Sequence, residues 1–127
     1  MVVRLKKAPL EKDNQKVILA WLRVRGCLAI RVNSGKHFYE SGNRRYLFQA
    51  TDTVGVSDIV GMLPRRLGGL FFAFEVKRDG KLDKTTPLRR AAQESFLKRV
   101  RDEGGVAAFV TSIEDVQAVL AERGLSL

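Results

Sequence analysis

Histidine and cysteine are nearly missing from this chain: His37 is its one histidine and Cys27 its one cysteine. That excludes an internal disulfide, zinc sites built from cysteine, and sites built from several imidazoles. No apolar run approaches the roughly 20 residues of a membrane span, and Met1-Val2-Val3-Arg4-Leu5-Lys6-Lys7 lacks the apolar core of a secretory signal. The expectation is a reducing, cytoplasmic setting and no membrane partner. Acidic residues are also scarce, with 14 Asp and Glu against 23 Lys and Arg, a formal charge of +9. Such an excess suits a polyanionic partner, nucleic acid ahead of an anionic membrane surface.

What is present fits one globular domain spanning residues 1–127, with a core over about 10–124. The chain has 127 residues, 45% of them hydrophobic, enough for one core and too few for two. Leu10, Val17, Ile18, Trp21 and Leu22 recur at helical spacing, which predicts a helix over 10–25 stopped by Gly26. Strands are expected at 27–32, 46–48, 56–63 and 70–77, with a turn at Asn33-Ser34-Gly35 and a polar loop over 35–43. Thr86-Pro87 reads as N-cap and first position of a helix running to about Glu103. A strand at 106–110 and a final helix, opened by Ser112 and Asp115, follow. The pattern predicts an α/β fold, a mixed β-sheet flanked by helices in the order α-β-β-β-α-β-α.

Chemistry concentrates in Phe71-Phe72-Ala73-Phe74-Glu75-Val76-Lys77. An apolar strand that ends in a carboxylate and an ammonium has to pair or ligate them, because buried lone charges are costly. Side chains alternate along a strand, so Glu75 and Lys77 share a face. Taken alone, the two read as an ion pair at a strand end. Asp58, in Gly55-Val56-Ser57-Asp58-Ile59-Val60, shifts the reading towards a site for a hard cation, Mg²⁺ or Mn²⁺. Asp58 and Glu75 are its expected ligands, with the Val76 backbone carbonyl as a third. Lys77 then serves the attacking water or the charge that develops at phosphorus.

Basic residues flank that site. Lys81, Lys84, Arg89 and Arg90 follow it, and Arg44, Arg45, Arg65 and Arg66 form basic pairs expected on loops. The segment after the site reads either as a solvated helix face or as a surface for a substrate strand; contacts to phosphate would favour recognition of DNA shape over DNA sequence. His37, Phe38 and Tyr39 read either as plain loop residues or as residues that stack on DNA. Trp21 reads as core.

Taken together, Glu11 with Gln15, Arg31-Val32-Asn33-Ser34-Gly35, Gly55-Val56-Ser57-Asp58-Ile59, Phe74-Glu75-Val76-Lys77, Gln93 and Gly104-Gly105-Val106-Ala107 resemble the virus-type replication-repair nuclease domain. That domain is a branch of the PD-(D/E)xK nuclease superfamily, and the resemblance spans residues 10 to 120. It implies a restriction-endonuclease-like core and metal-dependent hydrolysis of DNA phosphodiesters. It also implies catalytic roles for Glu11, Asp58, Glu75, Lys77 and Gln93, with Glu11 reaching the metal or its water shell and Gln93 positioning water or phosphate. Stand-alone members of the branch look like homodimers that cut branched DNA such as Holliday junctions. A flap or single-strand nickase would use the same residues, and a non-catalytic DNA-binding module is the alternative of another class. Leu67 to Phe71 is the candidate stretch for a dimer interface.

Overall fold

The computed structural model describes residues 11–32, 36–49, 51–78 and 85–127. Three helices, α1 (Glu11–Val24), α2 (Pro87–Asp102) and α3 (Ile113–Glu122), accompany six strands. The strands are β1 (Leu28–Arg31), β2 (Lys36–Ser41), β3 (Arg44–Gln49), β4 (Ile59–Met62), β5 (Phe71–Val76) and β6 (Val106–Val110). Four of them form one sheet in the order β1-β4-β5-β6, antiparallel except for the parallel β5–β6 pair. The sheet is therefore mixed, and with its helices follows the expected order α-β-β-β-α-β-α.

Alternation along the strands sends side chains to two different cores. Phe72, Phe74 and Val76 point to the face covered by α1 and α3, where they meet Ile18, Leu22, Val116 and Leu120, all fully or almost fully buried. Phe72 and Phe74 stack with ring centroids 5.2 Å apart. The opposite face carries Ala73 and Ala107 beneath α2, where Leu97 and Val100 pack. The small alanines let α2 approach the sheet closely, and β5 is buried on both sides as its apolar run requires. Trp21 packs against the first core, as expected.

Residues 35–43 are not all loop. Lys36–Ser41 pairs with Arg44–Gln49 in a two-stranded antiparallel sheet of its own. Gly42 sits at the turn with φ 63°, the placement that lets a two-residue turn follow the strands' twist. Polar residues at the ends of β2 hide the strand signal in the sequence, and the turn glycine is what reveals it. Arg44 and Arg45 accordingly lie on β3 and not on a loop, while Arg65 and Arg66 lie on a short 3₁₀ turn, Arg65–Leu67. The Asn33-Ser34-Gly35 turn, Leu10, Lys81 and Lys84 fall outside the described residues. Among the described residues, no helix is long and apolar enough to cross a membrane.

The outer edge of β1 is blunted. Val32 N–H donates to the Asp58 carbonyl at 2.7 Å, and the alternation of antiparallel pairs turns the Ala29 carbonyl outward. The Arg23 guanidinium covers it, with Nε and Nη2 at 3.2 and 3.1 Å. A charged cap on an edge carbonyl discourages another chain from adding a strand there.

Gly55 ties the approach to β4 onto α2. It adopts φ +80°, and a Cβ placed there would lie 2.3 Å from the Ala92 carbonyl oxygen. Only glycine allows the chain leading to Asp58 to rest on the backbone of α2 beside Gln93. Gly55→Ala should therefore destabilise the protein by about 2 kcal/mol, a fall on the order of 8 °C in Tm, measured by thermal unfolding followed by circular dichroism.

Candidate active site

The cross-strand register on the α2 face forms rungs. Met62 lies opposite Phe71 and Val60 opposite Ala73; continuing the same register by one step past Ile59 and Phe74 sets Asp58 opposite Glu75. Glu75 is in turn paired with Phe109 of β6. Two carboxylates expected to act together thus occupy neighbouring positions across the sheet. Directly opposite residues are close enough for their side chains to touch.

The sheet and α2 hold Glu75 away from water, together with Lys77 and Gln93, while Asp58 is half-buried. Glu75 is 4% exposed, Lys77 5% and Gln93 3%. Asp58 is fixed by the strand it faces, its Oδ2 accepting from Val76 N–H at 2.8 Å. Glu75 Oε1 accepts from Gln93 Nε2 at 2.9 Å. Gln93 Oε1 in turn accepts from Lys77 Nζ at 2.8 Å, and the Thr85 hydroxyl accepts from the same ammonium at 2.7 Å. Lys77 Nζ stands 4.0 Å from Glu75 Oε1 and 5.6 Å from the centre of the Phe109 ring. Gln93 is therefore the link between acid and base, bonded to both by its single amide.

Burial is the largest influence on both carboxyls, and it raises them. Glu75 is pushed up to about 9 by desolvation, then by the neighbouring Asp58 charge and the hydrogen bond between the two carboxyls; Lys77 and Arg89 pull the other way. Asp58 is also raised, chiefly by burial, against the hydrogen bonds from Val76 N–H and Glu75 and the charges of Lys77 and Arg89. Like charges that share a dry site do not both ionise. At neutral pH the pair keeps a proton, held on the Glu75 side.

The same features fit a hard divalent cation. Glu75 Oε2 is buried and reached by no donor of the chain. A cation would replace the shared proton and satisfy both carboxylates. Among the described residues no group of three or more His, Cys, Asp or Glu is placed to hold a metal, so this pair would be supplemented by the Val76 carbonyl, water and phosphate. That is how Mg²⁺ commonly binds, through one or two carboxylates with the rest of its shell from water and substrate.

Glu11 is not joined to the pair in a metal-holding group. It begins α1, four residues before buried Gln15 and three before Asn14, whose Nδ2 approaches the Lys77 carbonyl at 3.5 Å. The helix stripe therefore aims its first turn at the end of β5, with Glu11 outside the inner cluster. Gln15 accepts from Arg31 Nε at 3.0 Å, which joins the first and second motifs of the sequence. Arg89 and Arg90 lie exposed in the first turn of α2. Arg89 is close enough for its charge to act on both carboxyls, and Arg90 lies over the Phe109 ring, Cζ to centroid 4.9 Å.

Thr85 and Phe109 are the site residues that sequence reasoning passes over. Thr85 stands one position before an evident N-cap, where a hydroxyl carries no distinguishing signal. Phe109 reads as one more apolar residue of a buried strand; only the parallel register next to Glu75 reveals it. No protein-family model matches the chain, and no curated protein or solved structure matches it.

The raised carboxyls give a definite pH dependence. With Glu75 at about 9 in the folded chain and an ordinary carboxyl in the unfolded one, the folded state binds more protons across that interval. The stabilisation is complete below the unfolded value and is lost as pH rises towards about 9. Asp58, also raised, acts with the same sign. Glu75→Gln removes the ionisation, so its Tm should exceed that of the unmodified chain by a margin that widens from pH 5 to pH 9. Unfolding curves recorded in metal-free buffer across that range check it.

Proposed function

We propose that this chain is a Mg²⁺- or Mn²⁺-dependent DNA endonuclease of the virus-type replication-repair branch of the PD-(D/E)xK superfamily, with a restriction-endonuclease-like core. The observation that carries this reading is the rung that sets half-buried Asp58 opposite buried Glu75, with Gln93 joining Glu75 to Lys77. A structural ion pair would not set a second acid beside a buried one. Each residue has a task in phosphodiester hydrolysis. Asp58 and Glu75 present oxygens to the cation, with Asp58 held in place by Val76 N–H. The Lys77 ammonium, steered by Thr85 and Gln93, orients the attacking water or offsets the negative charge that grows on the phosphoryl oxygens. Arg89 draws the substrate phosphate towards the carboxylates, and Arg90 lies beside it on Phe109. When bound, the cation would supply charge neutralisation at phosphorus and a more acidic water.

The substrate we infer is branched DNA, a four-way junction foremost, cut by a homodimer. Each chain offers one site, and symmetric resolution of a junction takes two nicks, which a two-fold dimer delivers from one surface. Within the Leu67–Phe71 stretch, Leu67 and Leu70 pack against the chain's own core. Phe71 is 44% exposed and continues across the sheet to Met62 and Leu28, exposed by 46% and 60%. This apolar rung, beyond the cover of α2, is the place for the second copy.

The test is cleavage of a synthetic four-way junction beside forked and linear duplex DNA with Mg²⁺ or Mn²⁺. Paired nicks confined to the junction are expected. Lys77→Met should slow them by about 10²- to 10⁴-fold while leaving binding of DNA intact. Flap or linear cutting in place of junction cutting would retain the site and remove the resolvase reading; binding without cutting under either metal would leave a DNA-binding module. Titration of the metal-free chain with Mn²⁺ by calorimetry in buffers of different ionisation enthalpy gives a second readout. Binding should release close to one proton at pH 7, and Asp58→Asn should abolish it.

A further inference from the structure

The β2–β3 hairpin enters the chain at an informative place. It is inserted between Val32 and Asp58, and these two residues are paired to each other, Val32 N–H to the Asp58 carbonyl at 2.7 Å. The segment that carries the hairpin therefore departs from and returns to a pair that adjoins the carboxylate rung. The strands pair only with each other and form a sheet apart from the main one. An excursion with its own sheet contributes no strand to the main sheet, so its retention at the rung calls for another role.

Its register supplies that role. Tyr39 lies opposite Tyr46, His37 opposite Phe48 and Ser41 opposite Arg44. Directly opposite residues belong to one face of an antiparallel ribbon, so aromatic positions run along that face and end on an arginine at the tip. Tyr46 is 39% exposed, and Arg44 and Arg45 are exposed beside it. An exposed Tyr46 beside Arg44, in a chain of charge +9, is complementary to nucleic acid with accessible bases. Duplex DNA hides its base faces, whereas unpaired or splayed nucleotides offer a face to stack upon.

We propose that the β2–β3 hairpin is an arm that stacks on unpaired bases at a DNA branch point and so sets the substrate's structure preference. The inference rests on the nuclease reading for its purpose, but its chemistry is that of binding. Stacking is the task of Tyr46 and its ribbon face; Arg44 holds the adjoining phosphate. Rooted at Val32 and Asp58, the arm would join the branch to the phosphodiester that meets the carboxylates.

The experiment compares binding of the full chain to a fork, a four-way junction and a linear duplex in the absence of divalent metal, with 2-aminopurine at the branch. The unmodified chain should quench the probe and favour the branched DNA. Tyr46→Thr, which keeps a strand-forming residue and removes the ring, should weaken fork binding about tenfold, leave the linear duplex within about twofold and abolish quenching. Tyr46→Phe, which keeps the ring, should restore both. Arg44→Ala should weaken every DNA and lower the salt dependence by about one counterion. Equal losses on fork and linear duplex would overturn the proposal, as would unchanged fork binding in Tyr46→Thr. A Tyr46→Thr variant that changes oligomeric state on size-exclusion chromatography would also overturn it, assigning the arm to a second copy. If the unmodified chain cuts no DNA with either metal, the nuclease reading falls, and a fork preference lost in Tyr46→Thr would still uphold the arm.

Discussion

Two carboxylates forced together in a dry place are the constraint around which this molecule is arranged. Asp58 and Glu75 stand opposite one another because the β4–β5 register continues one step beyond Ile59 and Phe74. Glu75 is buried and Asp58 half-buried because α2 lies over that face of the sheet. Full ionisation of both would set like charges side by side with little water to screen them. The free chain responds with a shared proton, and the surrounding groups compensate further: Val76 N–H on Asp58, the Gln93 amide on Glu75, and the charges of Lys77 and Arg89 nearby. Each of these costs desolvation of its own, so the cluster is not a source of stability. Its presence is better explained by a ligand that replaces the proton than by folding.

The rest of the fold serves this rung. β5 is apolar up to Phe74 because both of its faces are covered, and Glu75 and Lys77 appear at its end still buried under that cover. Ala73 and Ala107 are small so that α2 can sit low, which brings Gln93 within reach of Glu75. Gly55 lacks a Cβ so that the approach to Asp58 can lie on the same helix. These choices act on distances of a few tenths of an ångström, and a site that relays one amide between an acid and a base depends on them.

The legible part of the molecule was that governed by local pattern. Helical spacing marked α1, Thr86-Pro87 marked the start of α2, and the apolar run of β5 identified the strand that ends in Glu75 and Lys77. The β2 strand was hidden because Lys36, His37, Glu40 and Ser41 do not carry the apolar alternation of a half-buried strand. The ribbon is held by its turn and by pairing with β3. Thr85 and Phe109 were hidden for a different reason: their importance comes from register and from the fold's crossover, which composition does not encode. Asp58 and Glu75 were found because a charge inside an apolar context is anomalous in sequence. Their direct opposition across two strands was not, since it depends on a register that no single segment specifies.

Register also keeps an exposed apolar rung and the carboxylate rung apart on one sheet face. Along the α2 side, rungs pass from Leu28, Met62 and Phe71, exposed and apolar, through Val60 and Ala73 beneath the helix, to Asp58 and Glu75 beside Phe109. Four residue steps along β5, from Phe71 to Glu75, separate the two ends, and Ala73 beneath α2 lies between them. A second copy on the apolar rung would thus leave the carboxylates open to a substrate phosphate. The Arg23 cap on the Ala29 carbonyl disfavours the other route, pairing of β1 edges, which would extend the sheet through backbone hydrogen bonds. A partner chain would then meet side-chain packing on the face, which would fix the separation of two carboxylate rungs without altering the strand that carries either one.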